Sequence, residues 1–199
     1  MAKKSTADFI RIMQSKYFPT KYKPETQFIS ELNLLHSVKL VSVGGEQALN
    51  DANSKVEVGI SDFNGTLTPT DADGLIRGVA VRFGKSTAVE APASPALVSY
   101  SELKEAFPAW LLNSELILKN RGFEQFRVRI QELVLADKAN VVASEWCKEL
   151  EKTIKVEGGQ DLQLFLSTPK GAIMDTAVDK HQYLQVVLYG IKFGDRKNA

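Results

Sequence analysis

Near the middle of the chain, Phe126, Val128 and Ile130 alternate strictly with Arg127, Arg129 and Gln131. A period of two sends the apolar set to one face of a sheet and the polar set to the other. Just upstream, Leu116, Ile117 and Leu118 form a short apolar run, followed by Asn120-Arg121-Gly122. Glycine there supplies the positive φ that a tight hairpin turn demands. The spacing predicts two antiparallel strands over 115–133, one face buried and the other wet or turned toward a partner. A slip of one residue would bury Arg127 and Arg129, so the register is well specified.

Strand signals recur on both sides of this hairpin. Val56, Val58 and Ile60 alternate with Glu57 and Gly59, and Asn64-Gly65 is a turn dipeptide. Residues 66–68 read as a short strand cut by Pro69. Residues 75–83 read as a buried strand with Val79, Val81 and Phe83 on one face and Arg82 opposed. Residues 85–96 are rich in Ala, Ser and Pro and predict a long loop, and 101–112 a short helix before Pro108. Residues 146–153 fit a helical turn or a strand. Residues 154–157 and 162–166 read as strands around Gly158-Gly159, and Pro169-Lys170-Gly171 turns the chain again. In the last strand, 183–193, Leu184, Val186 and Leu188 face one way and Val187, Tyr189 and Ile191 the other. A strand apolar on both faces is covered on both faces, by its own domain or by another copy.

Two stretches carry helical spacing. Over 25–43, Phe28, Leu32 and Leu35 fit a helix face and Val38 onward a strand, which predicts a short helix followed by a strand. Residues 5–18 read as an amphipathic helix capped by Ser5, with Asp8 in its first turn and Pro19 ending it. Phe9, Ile10, Met13 and Tyr17 fall on one stripe of it. The total is about eight strands with turns between them and no βαβ alternation. The predicted class is mainly β: a β-sandwich or jelly roll over 25–199 with minor helices, preceded by a basic helical arm over 1–24.

Charge sharpens the picture of that arm. The 199-residue chain has a formal net charge of +1, and 44% hydrophobic with 25% charged residues is ordinary for a globular protein. Yet residues 1–23 hold six basic residues against Asp8 alone, a net +5, which leaves −4 for the remainder. Lys16, Tyr17, Phe18, Lys21, Tyr22 and Lys23 interleave charge with aromatic rings. That mixture suits three roles: packing on its own domain, docking on a neighbouring subunit, or lying on an anionic surface such as a bilayer or packaged nucleic acid. Packing on its own domain is the leading reading of the three, and docking is preferred to nucleic-acid binding. The single cysteine, Cys147, allows no intramolecular disulfide. No apolar run approaches a membrane span, and no secretory signal opens the chain, so a cytoplasmic protein or a particle assembled in the cytoplasm is expected.

Candidate chemistry is sparse. Asp71-Ala72-Asp73-Gly74 resembles the heart of a calcium loop, but Pro69 and Ala80 would stand at its first and twelfth positions and offer no side-chain oxygen. Cys147 with His36 or His181 is the conceivable thiol–imidazole pair; a small, partly buried apolar role for Cys147 is preferred. Two histidines without a spaced carboxylate do not make a metal site, and Gly44-Gly45 and Gly158-Gly159 lack the setting of a phosphate loop. No cofactor, metal or catalytic residue is expected.

The stretches Leu111-Leu112-Asn113-Ser114-Glu115-Leu116, Gly159-Gln160-Asp161-Leu162-Gln163-Leu164-Phe165-Leu166 with Ser167-Thr168-Pro169, and Leu184-Gln185-Val186-Val187-Leu188-Tyr189-Gly190-Ile191 give the C-terminal two-fifths a family look. It resembles the jelly-roll coat proteins of bacterial viruses. The resemblance implies a non-enzymatic capsid subunit of a virion, with other copies of itself and other virion proteins as partners. The front segment would then resemble the arms by which coat subunits touch one another, the genome or a membrane. Phe9, Ile10, Met13, Lys16, Tyr17, Lys21 and Lys23 would make that contact. The alternative is a monomeric sandwich that binds carbohydrate or peptide, for which Trp110, Trp146 and Tyr183 are the candidate aromatic platform.

Overall fold

The structure, a computed structural model, describes residues 27–41, 44–92, 94–134, 147–174, 176 and 180–195. The expected arm over 1–24 lies outside them. The described chain is mainly β, in two antiparallel sheets. The first is built from β1 (Gln27–Leu40), β9 (His181–Asp195), β3 (Gly74–Ser86) and the two-residue β4 (Tyr100–Ser101), in that order. β7 (Lys148–Val156) joins it on the β4 side of β3. The second runs β2 (Gly45–Ala48), β8 (Leu162–Thr168), β5 (Glu115–Asn120), β6 (Phe123–Arg129).

Alternation builds the core. Leu32, Leu34 and Leu40 of β1, Val79, Val81 and Phe83 of β3, and Leu184, Val186 and Leu188 of β9 point inward from one sheet. Leu116 and Leu118 of β5 and Leu162, Leu164 and Leu166 of β8 meet them from the other. All are buried in one shared cluster, the packing of a β-sandwich. Phe126 and Val128 of β6 close it at the edge.

The central hairpin is present as expected. Arg121 (φ 51°) and Gly122 (φ 79°) form its two-residue turn, the positive pair that matches strand twist. Four other expectations are corrected. Residues 66–68 are not a strand: Leu67 makes isolated bridges to Asn64 and Asp161 within a turn. The described residues of 25–43 hold no helix: β1 is one extended strand from Gln27, paired with β9 along its whole length. What decides is the alternation of Leu32, Leu34, His36, Val38 and Leu40, which a buried histidine hides. Residues 56–60 are not a strand. Ile60 N–H and Ser61 N–H both donate to the Glu57 carbonyl (3.0 and 2.9 Å), Gly59 takes φ +76°, and Val58 stands 98% exposed at the tip. The helix expected before Pro108 is a 3-10 turn, Lys104–Ala106, and the α-helical turn α1 (Ala109–Leu112) follows the proline instead of preceding it. Pro108 suits that helix entry because it has no N–H to leave unpaired.

Candidate functional site

The proposed contact residues Phe9, Ile10, Met13, Lys16, Tyr17, Lys21 and Lys23 all lie outside the described residues. The other residues singled out from the sequence are bound into the fold. Asp71 pairs with Lys192 (2.6 Å), which holds its carboxyl below the ordinary range, and Asp73 accepts the Gly158 N–H (2.9 Å). Asp71 pins its loop to β9, and Asp73 pins the same loop to the turn between β7 and β8. Cys147 is half-buried; burial and then Glu149 push its thiol up, away from the reactive thiolate. The hydrogen bonds of the two histidine rings go elsewhere: His36 to Ser61 and Leu49, His181 to the Val89 carbonyl. Among the described residues no three His, Cys, Asp or Glu side chains gather as metal ligands, and no helix is long and apolar enough to cross a membrane. Of the proposed aromatic platform, Tyr183 is 2% exposed and Trp110 packs partly buried against the core; Trp146 is outside the described residues.

Two features remain as candidates for contact with something else. The first is the outer edge of β1. Ser37 N–H donates to the Ile60 carbonyl (2.7 Å) and Asp62 N–H to the Leu35 carbonyl (2.9 Å), so residues 60–62 cap the edge there. Backbone groups alternate along a strand, so those of Ile29, Glu31 and Asn33 point the same way. Among the described residues nothing pairs with them. Glu31 is the one charged side chain on this open half. By contrast β6, an edge of the second sheet, carries Glu124, Arg127 and Arg129 along its length. Charges of that kind discourage edge-to-edge pairing.

The second is a cleft of about 490 Å³ between β1, β2 and the 49–61 connection. Lys39, Gln47, Asp51, Asn53, Lys55 and Glu57 line it, and His36 and Ser61 form its floor. Asp51 accepts from the Asn53 backbone N–H (2.9 Å), which holds its carboxyl below the usual range and shapes the loop. Sequence reasoning missed this site because its members come from 36–61 through the crossing of a strand and a long connection. The polar clustering of 46–57 was its only trace in sequence. No protein-family model matches the chain, nor does any curated protein.

Proposed function

We propose that the chain is a non-enzymatic structural subunit that self-associates, a jelly-roll coat protein of the kind that encloses a bacterial virus. The observation that carries this reading is the order of strand pairing. With two-residue β4 set aside, eight strands remain, and they pair as a nest: β1 with β9, β2 with β8, β3 with β7, β5 with β6. Two further pairings, β9 with β3 and β8 with β5, are those made when such a nested ribbon is rolled into two sheets. Eight strands rolled in this manner are the jelly roll, an architecture used in viral capsids as well as in lectins and cupins. Fold alone does not choose among these uses. The half of the β1 edge at which no described residue pairs supports association, since a strand edge of that kind is a template for another chain. The basic segment 1–23 supports electrostatic docking on the remainder of opposite net charge.

Light scattering on the purified chain at low and high salt tests this. A large or salt-sensitive assembly is expected. A 22.0 kDa monomer at every salt and concentration would overturn it. Reversing Lys16, Lys21 and Lys23 to Glu should then weaken assembly while leaving the unfolding midpoint unchanged. The cleft beside β1 favours a second reading, a monomeric module for a small polar ligand such as a saccharide or peptide, because its volume falls in the range of ligand sites. Glycan- and peptide-array binding by a stable monomer would move the assignment there.

A further inference from the structure

His36 ties together three stretches that are distant in sequence. It projects from β1, and its ring lies 4% exposed, edge-on to Phe63 at 5.9 Å. Nε2 is 2.9 Å from the Leu49 carbonyl, which can only accept, so Nε2 carries the hydrogen. Nδ1 is then bare and accepts from the Ser61 hydroxyl at 2.9 Å. Ser61 Oγ in turn accepts the Phe63 N–H (3.1 Å). In the neutral ring every donor and acceptor of this chain of bonds is used. Ser61 also belongs to the cap on the β1 edge: Ile60 and Asp62 on either side of it bond to Ser37 and Leu35, and Leu35 N–H donates to the Asp62 carboxylate (2.7 Å).

A second proton reverses this arrangement. Nδ1–H would face a hydroxyl that must give up its bond to the ring and turn its own hydrogen elsewhere, and the new charge would sit on a ring that is almost wholly buried. We propose that His36 is an acid-sensitive clip: neutral, it holds residues 60–62 on the edge of β1; protonated, it releases them and bares that edge at Leu35 and Ser37.

The charged groups around the ring set where this happens. Asp51 approaches from the 49–56 connection and favours the proton. Asp62 lies beside Ser61, Lys39 is on β1 itself, and Lys55 and Glu57 line the cleft. Burial outweighs the Leu49 hydrogen bond and the Asp51 charge, so the folded ring binds its proton less readily than a free histidine. The sign follows. Above the ordinary histidine value, roughly pH 6.5, both the open and the closed forms are neutral and the clip is at full strength. Below it the open form takes up a proton first, and the opening constant grows about tenfold per pH unit until the closed ring titrates too.

The test is amide hydrogen exchange on the full chain between pH 8 and pH 5, expressed as protection factors. Ser37 and Asp62 should lose protection by about tenfold or more, while Leu188 in the central strand β9 keeps its own. His36→Gln retains an N–H for the Leu49 carbonyl and has no proton to gain, so most of the pH dependence should vanish. Asp51→Asn removes a charge that favours the proton in the closed ring, so the loss should begin at the same pH and continue to lower pH before it levels off. An undiminished loss in His36→Gln, or a parallel loss at Leu188, would overturn the clip. Should His36→Gln fail to fold, the ring titration followed by nuclear magnetic resonance in the unaltered chain decides instead. Its midpoint must coincide with the pH at which the loss of protection at Ser37 and Asp62 levels off, and a mismatch overturns the proposal.

Discussion

The outer faces of the two sheets are built on opposite plans. On the β1–β9–β3 sheet, Leu75, Ala80, Tyr183 and Val187 face away from the shared core and are still buried, at 0–4% exposure. The segment through Val98 and Tyr100 lies over part of this face, so close that a Cβ on Gly84 would stand 2.5 Å from Val98 Cγ1. Its polar members are paired beneath: Arg82 donates to Gln185 (3.1 Å) and Gln185 to Ser37 (3.0 Å). On the β2–β8–β5–β6 sheet the same position is wet. Arg127 bridges Glu115 and Glu124 (3.0 and 2.9 Å), which holds Glu124 below the usual carboxylate range. Lys119 lies over the Phe165 ring and pairs with Glu46 (2.7 Å). Charged side chains with long apolar stems keep Ile117 dry without a second layer of chain. One sheet is thus a middle layer and the other an outer wall. Water reaches the second through ion pairs that are individually worth little.

The sharpest break of that contrast lies at β9. A Cβ on Gly190 would sit 1.9 Å from the Leu75 carbonyl oxygen, a clash with backbone. Gly190→Ala should therefore cost more than about 4 kcal/mol or prevent folding, read from urea denaturation. A cost under about 1 kcal/mol would mean that β3 and β9 are not so closely paired. Leu75→Ala comes next. Although Leu75 faces away from the shared core, its loss should cost about 2–5 kcal/mol, as for any buried leucine. Gly84→Ala presses on a side chain and should cost about 1–3 kcal/mol. It should also raise exchange at Val98 and Tyr100, and no change there would detach the covering segment from the face. The smallest effect belongs to the wall. Arg127→Gln should change stability by about 0–1 kcal/mol, as surface ion pairs do. A loss of several kcal/mol would make that face an interior surface too.

This contrast was partly legible from the residues. β9 carries apolar side chains on both faces, and that pattern announces a strand covered twice. β6 alternates cleanly beside the short apolar run of β5, and Asn120-Arg121-Gly122 specifies their turn. The alternation over 56–60 misleads because a period of two fits a strand, yet Gly59 and the carbonyl of Glu57 bend the stretch into a turn. β1 misleads in the opposite direction. Its inward row contains His36, which reads as polar until Ser61 and the Leu49 carbonyl arrive to satisfy it. Alternation tells which face a residue takes and not which strand lies beside it, so the nested pairing order was out of reach. So was the cleft, whose walls are neighbours only after β1 and the 49–61 connection cross.

The nested pairing also governs when the fold can form during synthesis. The innermost pair, β5 with β6, closes a two-residue loop and can zip as soon as it emerges. Each further pair encloses more chain, and the outermost, β1 with β9, joins Gln27 to Asp195. Contacts so distant in sequence make folding slow. Until the last strand leaves the ribosome, β1 waits without its one full-length neighbour, and β3 lacks the strand that lies between the two. Translation must therefore pass β9 before either face of the first sheet is sealed. The interval before β9 emerges is the one in which the nascent chain is most open to capture by chaperones or by another strand.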